Sequence, residues 1–290
     1  MPKPPKPAKP QPTLQDQLPE LRAGQSIELL KALHILTRDG KLNQDTRRKL
    51  KQVNHLLQFI EPLMQDCLQH HDDITLVDHG AGKSYLGFML YDLFFSSRSS
   101  GWVVGVETRA ELVQRSQALA QQLGFERMRF VPATVQEAMV STDIPPQVDV
   151  VTALHACDTA TDDAIAFGLA RQARYMVLVP CCQAEVASVL RQHKALTLSR
   201  TPLSELWRHP LHTREFGSQI TNVLRCLQLE AHGYQVTVTE LVGWEHSMKN
   251  ELILARKVGA PKHSARERLQ QILQELQLTE LSQRFGVPQG

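Results

Sequence analysis

Residues Leu76–Phe95 read LVDHGAGKSYLGFMLYDLFF. A short apolar run closes on an acid, Asp78. Glycines follow at Gly80 and Gly82, and then Leu86, Phe88, Met89 and Leu90 return at helical spacing. Strand, glycine turn and helix in this order begin a β-α unit. Further candidate strands lie downstream at 101–107, 128–132, 148–156, 173–180, 234–242 and 250–257, with 74–78 as the first. Helical patterns separate most of them, such as residues 109–124, where Gly124 suits a C-cap. Strands alternating with helices imply a parallel, doubly wound sheet. The last two strands are separated only by GWEHSMK, residues 243–249, too short for a crossover helix. They are therefore expected to run antiparallel.

The expected fold class is α/β: a Rossmann-like, doubly wound, mostly parallel seven-stranded sheet with an antiparallel last strand. An N-terminal helical extension and a C-terminal helix complete it. Residues 1–20 hold PKPPKPAKPQP, a proline density that supports neither helix nor central strand, and are expected to be a disordered Pro/Lys-rich tail. Residues 21–71 repeat apolar positions at helical spacing, residues 72–258 carry the sheet, and residues 259–290 form a helical segment.

The chain has 290 residues, of which 42% are apolar and 21% charged, and a formal net charge of +2. That is an ordinary globular composition, and it neither demands nor excludes nucleic acid. Residues 1–71 are more basic, with eleven Lys/Arg against seven Asp/Glu, and TRRKLKQ at 46–52 concentrates four of the positive charges. Such a run is either a solvated helix face or a phosphate-contacting one. The five cysteines follow no disulfide framework, no secretory signal is present and no apolar stretch is long enough for a membrane span. A reducing cytoplasm is the expected setting.

The glycine loop discriminates among ligands. An ATP-binding P-loop ending at Gly82-Lys83-Ser84 needs its first glycine at position 77, which is Val77. A dinucleotide loop needs a third glycine at position 85, which is Tyr85. S-adenosylmethionine (SAM) carries no pyrophosphate and needs neither. Gly80 and Gly82, with Ala81 between them, then let backbone approach the cofactor, and Asp78 can accept from its amino group. A second acid should close the next strand and take the ribose hydroxyls. Glu107 stands there, pushed later in sequence by DLFFSSRSSG, residues 92–101. Lys83 and Ser84 are expected in the first helical turn, facing solvent.

VDHGAGKSYLGF, ALHACDTATDDAI and VLVPCCQ, taken together, resemble a class I SAM-dependent methyltransferase family. Its members carry acid-x-Gly-x-Gly-Lys, Leu-His-Ala-Cys and Pro-Cys-Cys segments. The resemblance covers about Ile74–Lys257, and a more distant one runs to tRNA 2′-O-methyltransferases. Family members commonly have His after the double cysteine, where this chain has Gln183, and Cys-Gly-Asp where it has Cys157-Asp158.

Ligands of an open α/β sheet bind outside the carboxyl ends of its strands. The candidate cofactor-binding residues there are Asp78, His79, Gly80, Ala81, Gly82, Glu107, Thr134 and His155. Thr134 is either near the adenine or a helix cap. The candidate catalytic residues are His155, Asp158, Cys181 and Cys182. His155 or Asp158 could take a proton from the acceptor. Alternatively His155 holds a loop, and Asp158 caps the helix that starts near Thr159. Cys181 and Cys182 are either small buried residues or nucleophiles for addition to a pyrimidine. Adjacent cysteines fit structural zinc poorly, and no metal is expected. RNA is the expected partner, carried by the basic leader and the distant resemblance. Methylation of a protein or small molecule, and a non-catalytic SAM-binding module, stand as alternatives.

Overall fold

The computed structural model describes residues 18, 20–154, 156, 158–180, 183–193, 202–241 and 251–286. His155, Cys157, Cys181 and Cys182 lie outside the described residues, as does most of the expected tail.

All seven expected strands form, within a residue or two of their sequence positions. They are β1 (Thr75–His79), β2 (Trp102–Glu107), β3 (Met128–Pro132), β4 (Val150–Leu154), β5 (Tyr175–Val179), β6 (Tyr234–Glu240) and β7 (Glu251–Lys257). Their order across the sheet is β3-β2-β1-β4-β5-β7-β6. β1 pairs in parallel with β2 and β4, β2 with β3, and β4 with β5. β7 is antiparallel to both β5 and β6, as the short connection required. The central strands are buried on both faces, which is why they read as continuous Val, Leu and Met runs rather than as alternation.

Helices cover both faces. On one side lie α1 (Ile27–Ala32), α2 (Gln44–Leu68) and α3 (Tyr85–Leu90). Leu29, Leu50, Leu57 and Ile60 join Leu76, Val103 and Val150 in a single apolar core. The helical leader thus supplies a wall of the sheet's own core. α2 starts at a capping box, in which Asn43 accepts from Thr46 N–H and Thr46 Oγ1 accepts from Asn43 N–H. Its carboxyl end is fastened to the sheet: Asp66 accepts from Tyr175 Oη at 2.7 Å and Arg174 Nε at 2.9 Å.

α4 (Ala110–Gln122) covers the β2–β3 crossover, and Gly124 just beyond it has the positive φ of a C-cap glycine. On the opposite side α5 (Val135–Val140), α6 (Ala160–Ala170) and α8 (Pro210–Ala231) flank a second core around Val77, Val104, Val151 and Phe167. A third cluster binds α7 (Glu185–His193) and α8 to α9 (His263–Glu275). The C-terminal segment is α9 followed by a 3₁₀ turn, Thr279–Leu281.

The stretch that lengthens the loop-to-Glu107 spacing now has a shape. α3 widens into a π-helical turn, Tyr91–Phe95. Arg127 then gathers the carbonyls beyond it: its Nη2 donates to Phe95 O at 2.9 Å and its Nη1 to Ser100 O at 2.6 Å.

α7 and α8 cross at Gly217. A Cβ there would stand 2.6 Å from Ala187 Cβ and 2.7 Å from Ala187 Cα. Backbone cannot yield as a flexible side chain does, so Gly217→Ala is expected to destabilise by about 1–3 kcal/mol through overpacking. Urea unfolding checks this, with Val223→Ala, at an exposed position of the same helix, as the near-neutral control.

Candidate functional site

The glycine loop leaves β1 at His79. Gly80 and Gly82 adopt φ of +66° and +58°, and Ser84 stands at +50°. No crowding demands the two glycines, since a Cβ at either would meet its nearest neighbour at 3.7–3.8 Å. Their left-handed backbone demands them. The loop is fixed from below. Asp78, 3% exposed, accepts from Ser84 Oγ at 3.1 Å and from Thr152 Oγ1 of β4 at 2.8 Å. Lys83 is exposed as expected, but Ser84 is buried, because its hydroxyl is the loop's anchor on Asp78.

Glu107 closes β2 beside the loop. Its Oε2 accepts from Gly82 N–H at 2.8 Å. Its Oε1 accepts from Arg109 N–H at 3.1 Å, and the Arg109 guanidinium grips both oxygens at 3.0 and 3.1 Å. Burial alone would raise its pKa, but the Arg109 and Gly82 donors bring it down to about 2. The carboxylate is therefore ionised and surrounded by donors.

His79 is 6% exposed and packs on Phe167, with ring centroids 5.8 Å apart. Neither ring nitrogen has a partner among the described residues. Burial lowers its pKa to about 4, against a small opposing effect of Glu107. Thr134 is the N-cap of α5 and shares a capping box with Glu137, whose Oε2 accepts from Thr134 Oγ1 at 2.9 Å. Asp158 is also a cap, but of a more distant helix. Its Oδ1 accepts from Ala184 N–H at 3.0 Å and Glu185 N–H at 3.3 Å, so it ties the loop after β4 to the start of α7. Thr159, the N-cap of the adjacent α6, makes no side-chain cap bond.

A polar cluster that the sequence did not announce lies under these loops. Arg225 of α8, 0% exposed, donates Nε and Nη2 to the two carboxylate oxygens of Asp162, each at 2.7 Å. Its Nη2 also reaches Asp158 O at 2.8 Å, and its Nη1 reaches Asn222 Oδ1 at 3.1 Å. Asn222 Oδ1 accepts from Gln183 Nε2 at 3.1 Å, Asn222 Nδ2 donates to Glu251 at 2.7 Å, and Ser218 Oγ donates to Gln183 at 2.7 Å. In sequence Asp162 is one of two acids in the first turn of α6, and nothing local marks it as the partner of an arginine 63 residues on.

These residues fit a nucleoside cofactor. A ribose presents two hydroxyl donors to an ionised carboxylate, the same polarity that Gly82 and Arg109 present to Glu107 now. The Arg109 side chain is 60% exposed and, in the described contacts, bonded only to Glu107, so it can swing aside. Among the described residues no group of three His, Cys, Asp or Glu side chains could hold a metal ion.

Residues 48–189 match a family model described as a methyltransferase domain. The strand order with a single antiparallel strand is that of class I enzymes. Residues 48–189 thus carry a SAM-dependent methyltransferase domain. Its cofactor is S-adenosylmethionine. A glutathione S-transferase C-terminal domain-containing protein of Bos taurus is 24% identical over 242 residues, covering 77% of this chain and 35% of that protein. The chain thus spans about a third of the length of that curated relative. Among solved structures, a magnesium protoporphyrin IX methyltransferase from Synechocystis with bound S-adenosylhomocysteine is 13% identical, with a TM-score of 0.46 over 80% of this chain and 94% of that one. A putative O-methyltransferase from Klebsiella pneumoniae is 14% identical, with a TM-score of 0.46 over 84% and 94%.

Asp78 and His79 make opposite demands on pH. Burial raises Asp78 to about 6, partly offset by its bonds from Thr152 and Ser84. A carboxyl raised above its unfolded value binds its proton more tightly when folded, so the stability it contributes is present at low pH and lost as pH rises through about 4–6. His79, lowered to about 4, contributes stability that is present above about 6.5 and lost as pH falls toward 4. Each shift corresponds to roughly 3 kcal/mol, and in this window they nearly cancel. Asp78→Asn is therefore expected to leave stability rising steeply from pH 4 to 6.5, and His79→Phe to leave it falling. Denaturant melts across that range decide it. Unchanged slopes in both variants refute the compensation.

Proposed function

We propose that this chain methylates RNA with SAM as the donor. The observation that carries the cofactor site is the ionised Glu107 carboxylate held against the N–H of Gly82 at the end of β2. In this reading Glu107 takes the ribose diol once Arg109 swings out. Backbone of Gly80, Ala81 and Gly82 lines the methionine side, and Asp78 keeps the loop in shape through Ser84. Thr134 and His79 are the marginal cofactor contacts of this reading, and His155, next after β4 in sequence, is a further candidate.

Bound here, SAM supplies a methyl group already activated on a sulfonium, so the protein's task is chiefly alignment of the acceptor. Asp158 suits that task as a positioning residue, because its Oδ1 is committed to the start of α7. His155 remains the candidate for proton transfer. Cys181 and Cys182, which follow β5 in sequence, are the remaining candidates. They are read as small packing residues unless their replacement stops turnover.

RNA is favoured by the amino half of α2. Arg48, Lys49 and Lys51 are exposed there, while Arg47 pairs with Glu20 at 2.8 Å. The distant resemblance to tRNA 2′-O-methyltransferases points the same way, and a reducing cytoplasm suits the free Cys67 and Cys226.

Two measurements test this reading. Calorimetry should show saturable binding of SAM and S-adenosylhomocysteine and none of ATP. Glu107→Ala should weaken SAM by on the order of 2–4 kcal/mol, since bonds to a charged group contribute about 1.5–3 kcal/mol. Arg109→Ala should tighten it, by removing the competitor for the carboxylate. Weaker binding in Arg109→Ala would make the arginine a cofactor contact instead.

For the acceptor, RNA affinity should fall steeply with salt. The triple variant Arg48→Gln, Lys49→Gln, Lys51→Gln should flatten the slope by about 2 on a logarithmic scale, at about 0.7 per contact with a single strand. SAM affinity should not change. A slope unaltered by the triple variant refutes the role given to α2.

A further inference from the structure

A cavity of about 840 Å³ opens beside the carboxyl end of β5. One wall is the amino half of α8, with Leu211, Ser218 and Asn222. The other is formed by Val238 and Glu240 of β6 and Glu251 of β7. Pro180 and Gln183, flanking the double cysteine in sequence, complete it. The volume is that of a site for a compact organic ligand.

Two features of the lining narrow the ligand. The first is a fixed amide pair. Gln183 and Asn222 are each 4% exposed and bonded to one another, and their orientation is set by Ser218, Arg225 and Glu251. After these bonds Gln183 Nε2 keeps one N–H and Glu251 keeps its Oε1 as an acceptor, a donor and an acceptor that suit a heterocycle edge. The second is charge. Among the described residues, Glu215 and Glu251 line the cavity with Glu240, Arg214 and His212, and Arg214 is bonded to Glu215 at 3.1 Å. Carboxylates only accept, so they select a ligand edge that donates, and they repel phosphate. Leu211 and Val238, 56% and 51% exposed, offer apolar surface for the ring faces.

We infer that this cavity seats one unpaired nucleobase bearing an exocyclic amino group, with the phosphate backbone held outside. The inference rests on the RNA reading above and names what the acceptor strand inserts. A base in a duplex has its pairing edge occupied and cannot present it to Gln183 and Glu251, so the acceptor is single-stranded or extruded at this point. Uracil lacks the amino donor and is the base this lining rejects.

Fluorescence anisotropy tests this with the full chain saturated in S-adenosylhomocysteine and labelled oligo(A), oligo(C) and oligo(U) of about twelve nucleotides. Oligo(A) or oligo(C) should bind at least about tenfold more tightly than oligo(U), the discrimination one good polar pairing supplies. Glu251→Gln should cut that ratio to below about threefold, with the affinity for S-adenosylhomocysteine unchanged. Val238→Trp, at an exposed position that tolerates bulk, should fill the cavity and abolish the ratio even if Glu251→Gln folds poorly. Equal binding of all three oligonucleotides, unaffected by Val238→Trp, overturns the base site and leaves the RNA reading standing. Capture of free adenosine or cytidine, but not uridine, in a Glu251-dependent way without any oligonucleotide binding supports the site and overturns the RNA reading. Glu251-dependent binding of a lysine-rich peptide, with no nucleoside bound, overturns the inference in favour of a protein acceptor.

Discussion

Arg225 is the one charge on which the edge of this sheet depends. It is fully buried and shares two short bonds with Asp162. A buried pair contributes little net stability over an apolar equivalent, because desolvation of both ions offsets their attraction. What it supplies here is position. The remaining Arg225 donors hold Asp158 O in the loop after β4 and Asn222 on α8, and Asn222 in turn fixes Gln183 after β5 and Glu251 on β7. Four separate chain segments are thereby set relative to one guanidinium. Apolar side chains of equal volume would fill the space without specifying those directions.

The sheet was legible in the sequence because each strand carries its own signal. Runs such as VVTAL and YMVLV are bounded by turn residues and are too short for a buried helix, so strand number and approximate limits follow locally. The antiparallel direction of β7 followed from the length of one connection. The glycine loop was legible for a similar reason, since positive φ at Gly80 and Gly82 is a local demand. The partners of the charged residues were not. Sequence proximity assigns Asp158 to the helix that follows it, yet it caps the start of α7, 26 residues on. Local pattern suits Ser84 to a solvent-facing first turn, yet it anchors to Asp78 from a left-handed conformation that closes the loop back on β1. Arg225 lies in an amphipathic helix whose pattern is satisfied with an arginine facing either way, and Asp162 stands 63 residues before it. Contacts made across the fold leave no periodicity to count.

Arg109 shows the same limit at the cofactor edge. An arginine two residues after a strand-ending acid is unremarkable as sequence. In the folded chain its guanidinium covers both oxygens of Glu107. An ionised carboxylate at a water-exposed edge needs donors whether or not a ribose is present, and an exposed arginine provides them reversibly. Any other donor that approaches Glu107 must replace a bond from Arg109 rather than one from water.

The two halves of the edge are joined through β4. Its Thr152 donates to Asp78 and so fixes the glycine loop, while the loop that follows it is held by Arg225 through Asp158 O and Asp162. One strand therefore carries both the anchor of the glycine loop and the anchor of the cavity wall. Methyl transfer is sensitive to the alignment of donor and acceptor, with displacements of about 1 Å costing large factors in rate. A rigid parallel strand, paired on both sides and buried on both faces, keeps that separation fixed where two independent loops would not. The placement of Thr152 and the Asp158–Asp162 segment on a single element is thus what allows a loop-built site to hold its geometry.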